Sequence, residues 1–138
     1  MKQVAITGGG GYIGGQTAIY FKEQGWEVTV VDRNNLAERL EPFVDTHIHD
    51  NFDDQEALKQ YASADAIIHC AGSSLVGPSI KNPSDYYENN FIATKRMLDY
   101  ICQFGYHPKV VFSSSAAVYG NPIAIPISEE DPKLPISP

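Results

Sequence analysis

The chain has 138 residues, 43% hydrophobic and 20% charged, a composition that excludes disordered and collagen-like classes and suits one domain. Ten basic residues against 17 acidic ones give a formal charge of −7 without a basic cluster, so we expect no nucleic-acid partner. The apolar runs are too short to cross a membrane or to form a signal peptide. Cys70 and Cys102 form no CxxC motif, which favours reduced thiols and a cytoplasmic location.

Short apolar runs alternate with helical patterns along most of the chain. Strands are predicted, in chain order, over residues 4–6, 26–31, 46–49, 65–70 and 109–113. Helices are predicted over residues 12–24, 53–61 and 83–104. This alternation predicts an α/β fold with a doubly wound parallel sheet of strand order 3-2-1-4-5, whose topological switch point lies between strands one and four.

A change in composition marks the end of the chain. Five of the nine prolines lie between Pro122 and Pro138. Proline disfavours both a helix interior and a central strand, so this stretch is predicted to be an extended surface segment. We therefore predict a doubly wound domain over residues 1–121 and a proline-rich tail over residues 122–138.

A run of glycines follows the first predicted strand and opens the first predicted helix. Two spacings fit a dinucleotide loop: Gly8-x-x-Gly11-x-x-Gly14 and Gly9-x-Gly11-x-x-Gly14. Either permits a tight turn, a close approach of the backbone to a pyrophosphate, and free N–H groups at a helix N-terminus. A glycine run alone also suits an ordinary turn, but strand before and helix after favour dinucleotide binding.

An acidic residue after the second strand strengthens this prediction. Asp32 lies 18 residues beyond Gly14, where a carboxylate would accept the adenosine ribose hydroxyls. A carboxylate repels a 2′-phosphate, so Asp32 favours NAD over NADP. Arg33 could accommodate that phosphate, although we interpret it as a solvated charge beside the adenine.

Five segments in order resemble one family. They are Thr7–Gly14 at the nucleotide loop, His69–Gly72 at strand four, Ser74–Ser79 in the loop that follows, Tyr86–Asn90 in the long helix, and Ser113–Gly120 at strand five. Together they make the chain similar to the UDP-glucose (UDP-galactose) 4-epimerases among the extended short-chain dehydrogenase/reductases. The resemblance implies a Rossmann fold, NAD as cofactor and a UDP-hexose as the substrate of the full protein.

The resemblance also assigns cofactor contacts by position, in addition to the glycines. From the loop come Tyr12 and Ile13; around the adenosine ribose lie Asp32, Arg33, Asn34 and Asn35; beside the adenine lie Asp50 and Asn51; on the nicotinamide side lie Cys70, Ala71, Gly72 and Ser74, with Asn89 behind it. From the residues alone, Asn89 is equally well explained as a polar residue at a helix start.

Ser115 is implied as the catalytic serine. It lies at the carboxyl end of strand five, where ligands collect in open α/β sheets. Its alternative role is to satisfy backbone groups where the strand ends. Dehydratases of the superfamily usually carry an Asp-Glu pair before the Tyr-Gly, whereas this chain has Ala116–Val118, so an epimerase is preferred.

The family's chemistry also needs a Tyr-x-x-x-Lys pair, because positions i and i+4 share one helix face. None of the eight tyrosines has a lysine four residues later, and Ile136-Ser137-Pro138 resembles the stretch that immediately precedes the catalytic tyrosine in these epimerases. We therefore expect a truncated epimerase without its substrate lobe, which binds NAD but does not epimerise alone. The alternatives are a short non-catalytic NAD(H)-binding module, or a fragment of a related sugar-nucleotide dehydratase or reductase.

Two further expectations concern association and metals. An open strand-five edge and an uncovered long helix predict a homo-oligomer or a swapped dimer. His47 and His49 alternate along strand three near several aspartates, and we interpret them as a polar strand face, with no metal site.

Overall fold

Five short parallel strands form the sheet of this computed structural model, which describes residues 1–138. The strands are β1 (Gln3–Thr7), β2 (Glu27–Val31), β3 (Thr46–Ile48), β4 (Ala66–His69) and β5 (Lys109–Phe112). Their order is β3-β2-β1-β4-β5, and every neighbouring pair is parallel. The predicted fold class and strand order are confirmed, and the switch point lies between β1 and β4.

The helices follow the strands as the sequence predicted, with additions. They are α1 (Tyr12–Glu23), α2 (Gln55–Tyr61), α3 (Val76–Lys81), α4 (Pro83–Tyr86) and α5 (Ala93–Gln103). The predicted helix over residues 83–104 comprises α4, a π turn at Tyr87–Ile92, and α5. Short 3₁₀ segments at Glu38–Phe43 and Ala116–Tyr119, and helix α3, were not predicted. Helix α3 was not predicted because it contains Gly77 and Pro78, two residues that disfavour a helix interior. Proline is nevertheless tolerated in the first turn of a helix, where Pro78 lies.

Alternation along the central strands divides the core into two layers. On one face, Val4 and Ile6 of β1 pack with Val28 and Val30 of β2 and with Ala18 of α1. The opposite face carries Ala5, Val31 and Ile67 against α2 and α5, including fully buried side chains of both helices at Leu58, Tyr61 and Met97. Successive side chains point to opposite faces of a strand, so each central strand contributes to both layers.

The β5 side of the sheet is much less covered. All four β5 residues are exposed, and the strand pairs only with β4. Residues 121–138 contain no helix or strand, and most of them are exposed. None of the helices is both long and apolar enough to span a membrane.

Candidate nucleotide-binding site

The glycine loop between β1 and α1 closes around the carbonyl of Gly8. Gly8 has φ +70°, a conformation that favours glycine, and its carbonyl accepts the N–H of Gly11 at 3.1 Å. A Cβ at Gly14 would lie 2.4 Å from the same oxygen. Gly8, Gly11 and Gly14 thus meet at one point, which supports the first of the two spacings.

The same loop touches the segments that follow β2 and β4. A Cβ on Gly8 would lie 2.7 Å from the backbone nitrogen of Ala71, and one on Gly10 would lie 2.9 Å from Oδ2 of Asp32. Helix α1 begins directly after the loop. Its first N–H groups have no intrahelical acceptor, as in any α-helix, and no side chain caps them. Bare backbone and free N–H groups form a cradle that fits a pyrophosphate.

Asp32 is fixed at the carboxyl end of β2 by its own hydrogen bonds. Its Oδ2 accepts the N–H of Gly10 at 2.9 Å, and its Oδ1 accepts from Asn34, from the backbone N–H at 2.9 Å and from the side-chain amide at 3.2 Å. Three N–H donors leave a carboxylate with acceptor capacity, since its two oxygens have about four lone-pair positions. The half-buried carboxylate can therefore accept about one further donor, such as a hydroxyl of a ligand.

A cleft of about 270 Å³ joins these elements, and we call it the first cleft. Most of the predicted cofactor residues line it: Gly8, Gly11, Asp32, Arg33, Asn34, Asp50, Asn51, Cys70, Ala71, Gly72 and Asn89. Sequence reasoning missed three of its lining residues, Gly10, Val31 and Phe52. Gly10 belongs to the glycine run and could have been found there, whereas Phe52 carried no signal beyond its neighbours Asp50 and Asn51.

A second cavity of about 520 Å³ continues from the first cleft past Cys70, Ala71 and Gly72, which line both. Ile13, Ser74 and Ser115 line only this second cavity. Ser115 Oγ accepts the N–H of Ala117 at 3.1 Å, so the side chain also caps the 3₁₀ turn. Its hydroxyl proton can still be donated to a ligand oxygen in the cavity.

Three predicted residues line neither space. Tyr12 is 76% exposed at the start of α1, and buried Gly14 packs against the Gly8 carbonyl. Asn35 lines a separate depression with Leu36, Glu41, Val44, Asp45 and His47. The hydrogen bonds of Asp32 hold Asn34 at the first cleft. The backbone turns away from the cleft after Asn34, so Asn35 lies outside it.

A buried histidine under the site was not predicted as functional. His69 Nδ1 lies 2.6 Å from Thr7 Oγ1, and its Nε2 lies 2.9 Å from Thr94 Oγ1. Burial lowers the pKa of His69 to about 4, so the ring is neutral at neutral pH. Burial also raises the pKa of the neighbouring Cys70 thiol, opposed by a hydrogen bond with Ser113, which makes Cys70 a poor nucleophile.

His47 of β3 and His49, which directly follows that strand, form a polar pair. Their rings stack at 5.5 Å, and His49 Nε2 donates to the carbonyl of Arg33 at 2.8 Å. No group of three or more His, Cys, Asp or Glu side chains is placed to hold a metal ion.

Comparison with known proteins places this geometry in context. The model of the NAD dependent epimerase/dehydratase family matches residues 4–138. The UDP-glucose 4-epimerase of Halalkalibacterium halodurans is 41% identical over 138 residues, an alignment that covers 98% of this chain and 41% of that protein. The chain thus spans about two-fifths of the length of this curated relative.

Solved structures share the fold closely. The UDP-glucose 4-epimerase of Brucella ovis in complex with NAD is 34% identical with a TM-score of 0.87, covering 99% of this chain and 43% of that one. The NAD-dependent NDP-hexosamine 5,6-dehydratase TunA, involved in tunicamycin biosynthesis, is 29% identical with a TM-score of 0.85, covering 99% and 45%. Similarity of fold therefore extends across epimerases and dehydratases.

Proposed function

Because the chain belongs to the NAD dependent epimerase/dehydratase family, we propose that it binds NAD in the first cleft, as the dinucleotide-binding part of a UDP-glucose 4-epimerase. The adenosine ribose lies against Asp32, the pyrophosphate against the glycine loop, and the nicotinamide beside Cys70–Gly72. The observation that carries the proposal is the Asp32 carboxylate, held by Gly10 and Asn34 at the mouth of the glycine loop.

The fit to NAD rests on what this chain offers each part of the cofactor. The cradle of Gly8, Gly10 and Gly14 has no room for side chains, so a pyrophosphate can approach the backbone. With three N–H donors already bound, Asp32 has acceptor capacity for about one more donor, a ribose hydroxyl. Asp50 lies in the same cleft, and two carboxylates disfavour a 2′-phosphate, so NAD is preferred to NADP despite Arg33.

The chemistry is divided between the cofactor and the chain. Bound NAD supplies a hydride acceptor. Ser115 supplies a hydroxyl that orients a sugar oxygen in the second cavity. Ala116–Val118 hold no carboxyl group for the elimination of water, which supports an epimerase over a dehydratase. The 138 residues contain no Tyr-x-x-x-Lys pair, so we propose that this chain alone does not turn over.

The same proposal covers the partner and the location. A UDP-hexose is the substrate class, supported by the 41% identity to a UDP-glucose 4-epimerase. A cytoplasmic location is supported by Cys70 and Cys102, which are not joined in a disulfide.

The test is a titration of the purified 138-residue chain with NADH and, separately, with NADPH, followed by nicotinamide fluorescence. We expect saturable NADH binding that is at least about tenfold tighter than NADPH binding, because the 2′-phosphate would add negative charge to a cleft that already holds two carboxylates. In parallel, incubation with NAD and UDP-galactose is expected to yield no UDP-glucose. Failure to bind NADH contradicts the cofactor assignment, and steady conversion contradicts the proposed lack of turnover.

A further inference from the structure

One side chain of the π turn clamps the loop that follows β4. Asn90 Oδ1 accepts the N–H of Ser73 at 2.7 Å, and Asn90 Nδ2 donates to the carbonyl of Ser73 at 2.8 Å. The neighbouring Asn89 Nδ2 donates to Ser73 Oγ at 2.8 Å. Ser73 is therefore held by both its backbone polar groups and its hydroxyl.

The clamp is itself tied to the sheet. Thr94 Oγ1 donates its single proton to the carbonyl of Asn90 at 2.7 Å, so it must accept from Nε2–H of His69 at 2.9 Å. His69 is 1% exposed, and its ring packs between Phe52 and Phe112, at centroid distances of 4.8 and 5.5 Å. Through Thr94, this buried ring links β4 to the π turn that carries Asn90.

The clamped loop lies where the two cavities meet. Cys70, Ala71 and Gly72 line both cavities and directly precede Ser73, and a Cβ on Gly72 would lie 3.3 Å from Asn90 Oδ1. Asn90 lines only the second cavity, away from Asp32 and the adenosine end.

We propose that Asn90, held by Thr94 and His69, is a positioning residue that fixes the loop at the nicotinamide end of the dinucleotide. The inference rests on the proposed function. The proposal assigns different residues to the two ends of the cofactor. The clamp fixes the loop beside the nicotinamide ring, whereas the glycine loop and Asp32 hold the rest of the dinucleotide. Loosening the clamp therefore weakens binding of the whole dinucleotide more than binding of the part without nicotinamide.

The experiment compares NADH with ADP-ribose, which lacks the nicotinamide ring, by isothermal titration of the 138-residue chain. Thr94→Val removes the hydroxyl that joins His69 to Asn90 and keeps the side-chain shape. Thr94→Ser retains that hydroxyl. Thr17→Val is the matched control, because Thr17 Oγ1 donates to the carbonyl of Ile13 four residues before it, on α1 and outside both cavities.

We expect Thr94→Val to weaken NADH binding by about five- to tenfold while ADP-ribose binding changes less than about twofold. Thr94→Ser should restore the wild-type ratio of the two affinities, and Thr17→Val should leave both unchanged. Asn90→Ala, at a half-buried position, should reproduce the Thr94→Val pattern and provides the comparison if that variant does not fold.

Two results overturn the inference in different ways. If Thr94→Val and Asn90→Ala weaken NADH and ADP-ribose equally, or leave both unchanged, the clamp has no specific role at the nicotinamide end. A wild-type chain that binds neither ligand overturns the proposed function as well.

Discussion

Thr7 and His69 are register partners on β1 and β4, and their side chains are hydrogen-bonded, with 2.6 Å between Thr7 Oγ1 and His69 Nδ1. They lie at the carboxyl ends of the two strands that flank the switch point, directly beneath the first cleft. Because Nε2–H donates to Thr94, Nδ1 carries no proton and accepts from Thr7. The network therefore defines a neutral ring with one tautomer.

The first prediction is a stability that depends on pH through His69. Folding lowers the pKa of His69 from 6.5 to about 4. Below pH 6.5 the histidine is therefore protonated in the unfolded chain but stays neutral in the folded chain until the pH approaches 4. The contribution of neutral His69 to the free energy of unfolding is complete above pH 6.5. As the pH falls toward 4, about 3 kcal/mol of this contribution is lost. Urea denaturation at several pH values measures it.

The control for this prediction uses two histidine variants. His69→Asn should lose the part of the slope between pH 6.5 and 4 that His69 causes, whatever its absolute stability. His107→Asn, at an exposed position, should keep the wild-type slope. Equal slopes in the wild type and His69→Asn would show that the histidine titrates alike in both states.

A second prediction concerns the glycine loop. Gly14→Ala places a Cβ 2.4 Å from the carbonyl of Gly8, so the turn must shift, at a cost of about 1–3 kcal/mol in the free energy of unfolding. NADH binding should weaken with it. Gly77→Ala is the matched control in α3, where an added Cβ meets nothing within 4 Å and alanine favours the helix by up to about 1 kcal/mol. Chemical denaturation should therefore give changes of opposite sign, and a neutral Gly14→Ala would refute the packing argument.

A third prediction concerns self-association of the 138-residue chain. The β5 edge is unpaired on one side, and Val110, Val111 and Phe112 are 41%, 56% and 57% exposed. Unpaired N–H and C=O groups with apolar side chains favour pairing with a second copy. Light scattering should show a mass that rises with concentration, and Val111→Lys should reduce this rise. Ile123→Lys, 83% exposed but outside the sheet, should not. A monomer at all concentrations would contradict this prediction.

The sheet could be predicted because each strand is a short run of apolar residues between clear breaks. Gly25 and Gly105, which follow α1 and α5, have φ values of +77° and +66°, a conformation that favours glycine, so the glycines in the sequence mark both helix ends. The π turn could not be predicted, because it interrupts a continuous helical pattern without proline or glycine. Its register depends on the hydrogen bonds of Asn90 and Thr94 to other elements, which are tertiary contacts.

Much of the candidate site followed from spacing, since Gly8, Gly11 and Asp32 occupy the positions that a dinucleotide loop requires. The hydrogen-bond network of His69 beneath the site could not be predicted from spacing. His69 resembles any polar residue at a strand end until its two hydroxyl partners, 62 and 25 residues away, are known. Asn35 shows the opposite case, a neighbour in sequence that the backbone leads away from the cleft.

The fourth prediction concerns the role of Asp32 in holding the adenosine ribose. Asp32→Asn keeps the size of the side chain but removes its charge and replaces an acceptor oxygen with a donor. We expect NADH affinity to fall by about tenfold or more and the preference over NADPH to narrow, since the 2′-phosphate no longer meets this carboxylate. Asp85→Asn, on exposed α4, should change neither affinity.

The decisive measurement is the ratio of NADH to NADPH dissociation constants for the wild-type chain and Asp32→Asn, determined by fluorescence titration at one ionic strength. If Asp32 holds the adenosine ribose, the wild-type ratio strongly favours NADH and the ratio of the variant moves toward equality. Unchanged NADH affinity and an unchanged ratio in Asp32→Asn would contradict this role.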